Sequence, residues 1–285
     1  MRKPQMLWHN LDDRLFPPQR RGAERLTNDQ DKHPEELNEE VRFQLLGPLE
    51  IAGSAGPVLL TSARQRTVLA MLLIDAPCPV SVERLVEAVW GYDPPSTARN
   101  QIQICVSRLR QTFRQNGPSD LIETTASGYL LRTPESSLDI DVFRKLTEAA
   151  RRAERSGQVA DSVRHMRRAL TLWRGEALSG IGGSLIRSIA AQLEESRLAL
   201  IDELVSTEHQ IGCYGDSIEQ LAQLVQAYPL RERLWAHFMT ALHRMGRRAD
   251  ALLAYKAARD VLVAEVGIEP GEELRRVHGL ILVDS

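Results

Sequence analysis

The stretch STARNQIQICVSRLRQTF, Ser96–Phe113, decides how the rest of the chain is read. At 100° per residue, Ile102, Val106, Leu109 and Phe113 fall along one direction, with Cys105 and Ala98 beside them. That predicts a helix with one apolar face. The opposite face gathers Thr97, Asn100, Ile104, Ser107, Arg108, Gln111 and Arg114. Arg99, Gln103 and Arg110 lie on one flank and Gln101 on the other. The stretch contains no carboxylate. Its outer face therefore offers amide and guanidinium groups, which form bidentate bonds to adenine and guanine edges and are not repelled by phosphate. Ile104 is apolar where water is expected, and a thymine methyl would account for it. A solvated helix face would show the same long polar side chains, so the neighbouring segments must decide.

Those neighbours have a definite order. VRFQLLGPLEIAG alternates as strands around Gly47-Pro48. Ser62 is placed to cap a helix over ARQRTVLAMLLIDA, Ser81 to cap VERLVEAVWG, and Ser96 to cap the quoted stretch behind Pro94-Pro95. LIETTASGYLLRT then reads as a hairpin around Ser127-Gly128. Strands, three helices and a glycine-tipped hairpin are the order of a winged helix-turn-helix. In that fold the third helix enters the major groove and the hairpin lies along the DNA backbone or minor groove. The expected fold class is mainly α with a small β component: a winged helix-turn-helix domain, then an all-α tetratricopeptide-like domain.

The expected domains are a flexible tail over 1–40, the winged helix over 41–133, a linker over 134–138 and a helical domain over 139–285. The tail is polar, with Pro17-Pro18 and an acidic run from Glu35 to Glu40; Met6–Leu11 reads either as a short docking element or as part of a flexible extension. In the helical half, Gly157, Gly212 and Gly246 align as turns between helices. Ser162, Ser217 and Ala251 follow at five residues, Met166, Leu221 and Tyr255 at nine, and Ala169, Leu224 and Ala258 at twelve. The last two glycines are 34 residues apart, the tetratricopeptide period. The first interval is 55, so extra residues intervene around WRGEALSGIGGS. Such helix pairs bury their apolar faces only by stacking, and the stack presents a surface to partners.

The totals exclude several classes. With 36 Lys and Arg against 38 Asp and Glu the net charge is −2, so any nucleic-acid site is a local basic face. No apolar run approaches the ~18–20 residues that span a membrane, and no secretory h-region is visible. Cys78, Cys105 and Cys213 are an odd, scattered set that reads as reduced cytoplasmic thiols. There is no phosphate loop, no nucleophile elbow and no His-Glu-x-x-His. His165, His209, His237 and His243 stand at unrelated spacings within helices. No catalytic residue, metal or cofactor is expected, and the chain is not read as an enzyme.

FQLLGPLEI, RQRTVLAMLL, VSVERLVEAVWGYDPPSTARNQIQICVSRLRQTF and IETTASGYLL resemble the OmpR/PhoB-type winged helix, and more closely the Streptomyces antibiotic regulatory proteins. RMGRRADALLAYKAARDVLVAEVGIEPGEELRRVHGLIL resembles the bacterial transcriptional activation domain that follows in that family. The resemblance covers roughly 41–282. It implies a transcription activator that binds direct repeats at promoters of a biosynthetic gene cluster for an antibiotic or other secondary metabolite, with two protomers side by side. It also implies recruitment of RNA polymerase through sigma factor region 4 and the alpha C-terminal domain, with the beta flap a further candidate, in the cytoplasm at the nucleoid.

By position the resemblance places Gln101, Cys105 and Arg108 among base readers and Asn100, Ser107 and Arg110 among phosphate contacts. The first helix and the wing add Ser62, Arg64, Arg66, Thr125, Ser127 and Arg132. Trp90, Tyr92 and Asp93 match a loop that meets polymerase, although Trp90 reads equally as a core anchor. Larger members append a nucleotide-binding ATPase module, and response regulators carry a phosphoacceptor domain; neither is expected here. The competing reading is a tetratricopeptide-type interaction scaffold whose winged helix contacts protein instead of DNA.

Overall fold

The computed structural model describes residues 42–53, 56–116, 121–134, 137–215 and 217–284. The tail, with Met6–Leu11, lies outside them. β1 (Arg42–Gln44), β2 (Glu50–Gly53) and β3 (Gly56–Pro57) form an antiparallel sheet in that order. Phe43 faces Ile51 across β1 and β2, and both are buried while Arg42 and Glu50 are exposed. The period of two thus sets the inward face.

α1 (Ala63–Ile74) is buried continuously from Thr67 to Leu73, as a helix surrounded by others must be. Ser62 and Ser81 cap as expected: their hydroxyls accept from the Gln65 and Arg84 amides at 3.5 and 3.1 Å. α2 (Val82–Trp90) and α3 (Ala98–Asn116) pack on α1 and on each other. The hairpin is β5 (Ile122–Thr125) and β6 (Gly128–Leu131), and a two-residue strand before α2, β4 (Val80–Ser81), joins it in the order β4-β6-β5. Gly128 is required there. It has φ +154°, and a Cβ on it would sit 2.0 Å from the Val80 carbonyl oxygen.

The helical half comprises α4 (Asp139–Arg155), α5 (Val159–Leu170), α6 (Ser184–Gln210), α7 (Ile218–Ala227), α8 (Glu232–Arg244), α9 (Arg248–Val266) and α10 (Glu272–Val283). Gly157, Gly212 and Gly246 close α4, α6 and α8 with φ of +71°, +80° and +77°. Each turn repeats one hydrogen-bond pattern, in which the amide after the glycine reaches back five residues: Gln158 to Ala153, Cys213 to Glu208, Arg247 to Leu242. The small and apolar residues aligned after the glycines are buried, with the exception of Tyr255, which is half-buried and stacks on His278 at 3.8 Å between ring centroids. Trp235, Phe238 and Leu242 are also in the core, and Trp235 donates its Nε1–H to the Pro229 carbonyl at 2.9 Å.

The chain divides into two compact units inside α6: one running to Ile201, the other from Asp202 onward. The first unit therefore holds the winged helix together with α4 and α5. Its junction is built from backbone groups and one carboxylate. Phe43 N–H donates to the Ser137 carbonyl at 2.7 Å, and Ser137 and Leu138, expected in a linker, are buried. The Asp139 carboxylate accepts from the Leu45 amide at 2.8 and 2.9 Å and from the Leu46 amide at 2.8 Å. The extra segment between α5 and α6 turns back to the same place, with Arg174 N–H donating to Leu46 O at 2.8 Å and Leu178 N–H to Leu45 O at 2.9 Å. The amides and carbonyls of both Leu45 and Leu46, which β2 leaves open at this bend, thus find partners. No helix among the described residues is long and apolar enough to cross a membrane.

Candidate nucleic-acid interface

α3 opens at Ala98, whose N–H donates to the Pro95 carbonyl at 2.9 Å. This turn delays the helix beyond Ser96, so the residue next to it is Thr97 and not the expected serine cap. Ala98, Ile102, Cys105, Val106, Leu109 and Phe113 are buried, and Phe113 meets Phe43 edge-on at 6.0 Å. The outward face carries Thr97, Arg99, Asn100, Gln103, Ile104, Ser107, Arg108, Gln111 and Arg114, all exposed. Ile104 is 50% exposed, apolar surface with no core to enter. Arg108 and Arg114 have no ion-pair partner among the described residues, so both guanidinium charges are available to an anion.

Four residues differ from a simple outward face. Cys105, placed among base readers by the resemblance, is 7% exposed and belongs to the core. Burial pushes its thiol up, against the pull of Arg64 and Arg108. Gln101 is half-buried; its Oε1 accepts from Arg64 Nη1 at 2.6 Å and its Nε2 donates to Thr97 Oγ1 at 2.8 Å. A guanidinium has no acceptor, so this pairing fixes which way the amide points. Arg99 pairs with Glu83 on α2, both well exposed, a contact that water and salt weaken. Arg110 turns away from the face toward the hairpin, with Nε donating to Ile122 O at 3.0 Å.

The other expected positions separate in the same way. Ser62 caps α1, and Arg64 lies over the Trp90 ring at 5.4 Å, which ties the half-buried Trp90 to α1. Tyr92, by contrast, is 97% exposed, and Asp93 is exposed beside it. Arg66 lines a cleft with Ile51, Val58 and Leu60, and its Nε is buried without a hydrogen-bond partner among the described residues. It is thus turned toward the first sheet. At the hairpin, Thr125 Oγ1 accepts from Gly128 N–H at 3.1 Å and lies 3.3 Å from Ser127 Oγ at the exposed tip. Arg132 pairs with Glu123 across the strands, and its hydrogen bond holds the Glu123 carboxyl below the usual range.

Two family models match. The Transcriptional regulatory protein C-terminal domain covers residues 56–131, and the Bacterial transcriptional activator domain covers residues 138–282. The chain is 33% identical to the regulatory protein DnrI of Streptomyces peucetius, over 85% of this chain and 92% of that one. The chain belongs to the Streptomyces antibiotic regulatory protein family. This regulator is also 35% identical to the transcriptional regulator RedD of Streptomyces coelicolor, covering 86% of itself and 71% of RedD. It spans only 25% of the regulatory protein AfsR of the same species, at 35% identity. The solved structure of Mycobacterium tuberculosis EmbR in complex with a low affinity phosphopeptide superposes with a TM-score of 0.78 at 32% identity, over 86% of this chain and 65% of that one. These relatives are transcriptional regulators, and this family member carries both matched domains.

Sequence reasoning missed one side-chain cluster. His209 on α6 meets His237 on α8 at 5.5 Å between centroids and Tyr214 at 4.9 Å, and His237 Nε2 lies 2.8 Å from Asp202 Oδ1. Burial, reinforced by His237, lowers the His209 pKa to about 4. Among the described residues no group of three or more His, Cys, Asp and Glu could hold a metal ion.

Proposed function

We propose that this regulator binds duplex DNA sequence-specifically by seating the outward face of α3 in the major groove, with the hairpin tip on the adjacent backbone. The observation that carries the reading is the exposed, acid-free face from Thr97 to Arg114, with Arg108 and Arg114 unpaired among the described residues and Ile104 exposed. Asn100, Gln103 and Gln111 supply amide donor–acceptor pairs, Arg108 the guanine-type fork, and Ser107 and Arg114 the flanking backbone contacts. In this reading Cys105 stays behind the face and Arg66 outside it.

Two protomers bind direct repeats side by side at promoters of a secondary-metabolite gene cluster. The helical half and the exposed Tyr92-Asp93 loop engage RNA polymerase at sigma region 4 and the alpha C-terminal domain, inside the cytoplasm. Modest affinity per protomer suffices, because a second protomer and polymerase add avidity. The test begins with selection of duplexes from a random-sequence pool by the full chain, followed by salt titration of the winner. Log affinity should fall linearly with log salt with a slope of several units. Failure to enrich any sequence, or binding indifferent to salt, sinks the reading.

A further inference from the structure

Of the arginines along α3, Arg110 turns back from the outward face. Its Nε donates to the Ile122 carbonyl at 3.0 Å, its Nη2 to Thr124 Oγ1 at 2.8 Å, and its Cζ stands 5.9 Å from the centre of the Tyr129 ring. Thr124 and Tyr129 are partners in the β5–β6 register, so one guanidinium holds both strands at one rung.

The backbone pattern explains why β5 needs this contact. Arg132 N–H donates to Leu121 O at 2.8 Å, which makes that pair a hydrogen-bonded one. Antiparallel ladders alternate, so the peptide groups of Ile122 and Thr124 point away from β6. β5 is the outer strand in the order β4-β6-β5, and the Ile122 carbonyl faces the open edge of the sheet. Arg110 supplies the donor that no strand supplies. The tip is held independently, by Gly128 against β4. Along the outer strand itself, the polar tie to α3 among the described residues is this one side chain.

We infer that Arg110 is a positioning residue that fixes the pose of the hairpin on α3, and that it is not a phosphate ligand. It sets the spacing between the α3 face and the hairpin tip at Thr125 and Ser127, and hence which stretch of duplex both can touch at once. The consequence for DNA rests on the proposed binding mode; the strut itself does not.

Lysine separates the two roles. A phosphate contact accepts an ammonium as a point charge, whereas the two bonds here leave from separate nitrogens of one planar guanidinium, Nε and Nη2, a spread that lysine does not reproduce. The full chain is compared with Arg110→Lys, Thr124→Val and Arg108→Ala. Hydrogen exchange over Ile122–Leu131 is measured without DNA, and hydroxyl-radical footprints are taken on the duplex selected by the wild type. Arg110→Lys should speed hairpin exchange about tenfold or more without DNA. On DNA the protection under the hairpin should shrink while that under α3 persists. Thr124→Val removes one exposed hydroxyl without threatening the core and should accelerate the same amides about two- to threefold, against any general unfolding of the lysine variant. Exchange, footprint and salt slope all unchanged in Arg110→Lys would overturn the inference. A loosened hairpin with DNA binding untouched by both Arg110→Lys and Arg108→Ala would leave the strut standing and remove the proposed DNA interface.

Discussion

Replacing Asp139 by alanine tests the account of the first compact unit most directly. The carboxylate is 7% exposed and accepts three hydrogen bonds from two amides, Leu45 and Leu46, which belong to residues fully buried. Alanine leaves both donors in a dry site, at about 1–3 kcal/mol each. Against that stands the relief of no longer burying a charge. Burial pushes the Asp139 carboxyl up, with the Leu46 and Leu45 amides and Arg174 pulling the other way, so desolvation is only partly compensated. The net expected loss is about 2–4 kcal/mol. Asparagine retains one acceptor oxygen but sets an NH2 against the second donor, and should cost about 1–2 kcal/mol. Urea unfolding followed by tryptophan fluorescence gives the total, and Trp173 reports from the affected unit. Because two compact units can unfold separately, hydrogen exchange at the Leu45 and Leu46 amides localises the effect. An Asp139→Ala chain within about 0.5 kcal/mol of wild type, or with those amides still protected, would refute the reasoning.

Arg108→Ala should weaken binding to the selected duplex by about 1–3 kcal/mol and relax preference at one base pair, read by fluorescence anisotropy against single-base variants. Gly128→Ala places a methyl where only 2.0 Å is free, so the β4–β6 pairing should open and the hairpin lose exchange protection, even with α1 to α3 intact. His209 has its pKa lowered to about 4 in the fold against an ordinary 6.5, so its contribution is whole above pH 6.5 and is lost as pH falls toward 4. Discounted for partial exposure, that is about 1 kcal/mol between pH 7 and pH 5, and the pH slope of the urea midpoint should flatten in His209→Phe. A slope that His209→Phe leaves unaltered would assign the acid sensitivity elsewhere.

How much of this was legible before the fold was known follows the range of each signal. The core side of α3 and the three glycine turns were readable because each is a local period or a single backbone requirement. The strand β4 was not, since two residues carry no period. Nothing in the sequence singles out Asp139, and only a partner 94 residues away makes it structural. A helical wheel placed Arg110 on a flank but could not say that its long side chain would reach Ile122. His209 and His237 are 28 positions apart, and nothing in that spacing announces their contact. The residues between α5 and α6 registered as an interruption of the repeat because their purpose lies at Leu45 and Leu46, outside any repeat.

The fastening at Leu45–Leu46 has a bearing on how such regulators recombine. A crossover at the Pro134 stretch would look harmless on a domain diagram, yet it would separate Asp139 and Arg174 from the amides and carbonyls they match. Swaps that inherit both sides of this joint, with the exchange point inside α6, preserve the fit. Lineages that trade effector modules are therefore expected to carry the first helical pair along with the reader.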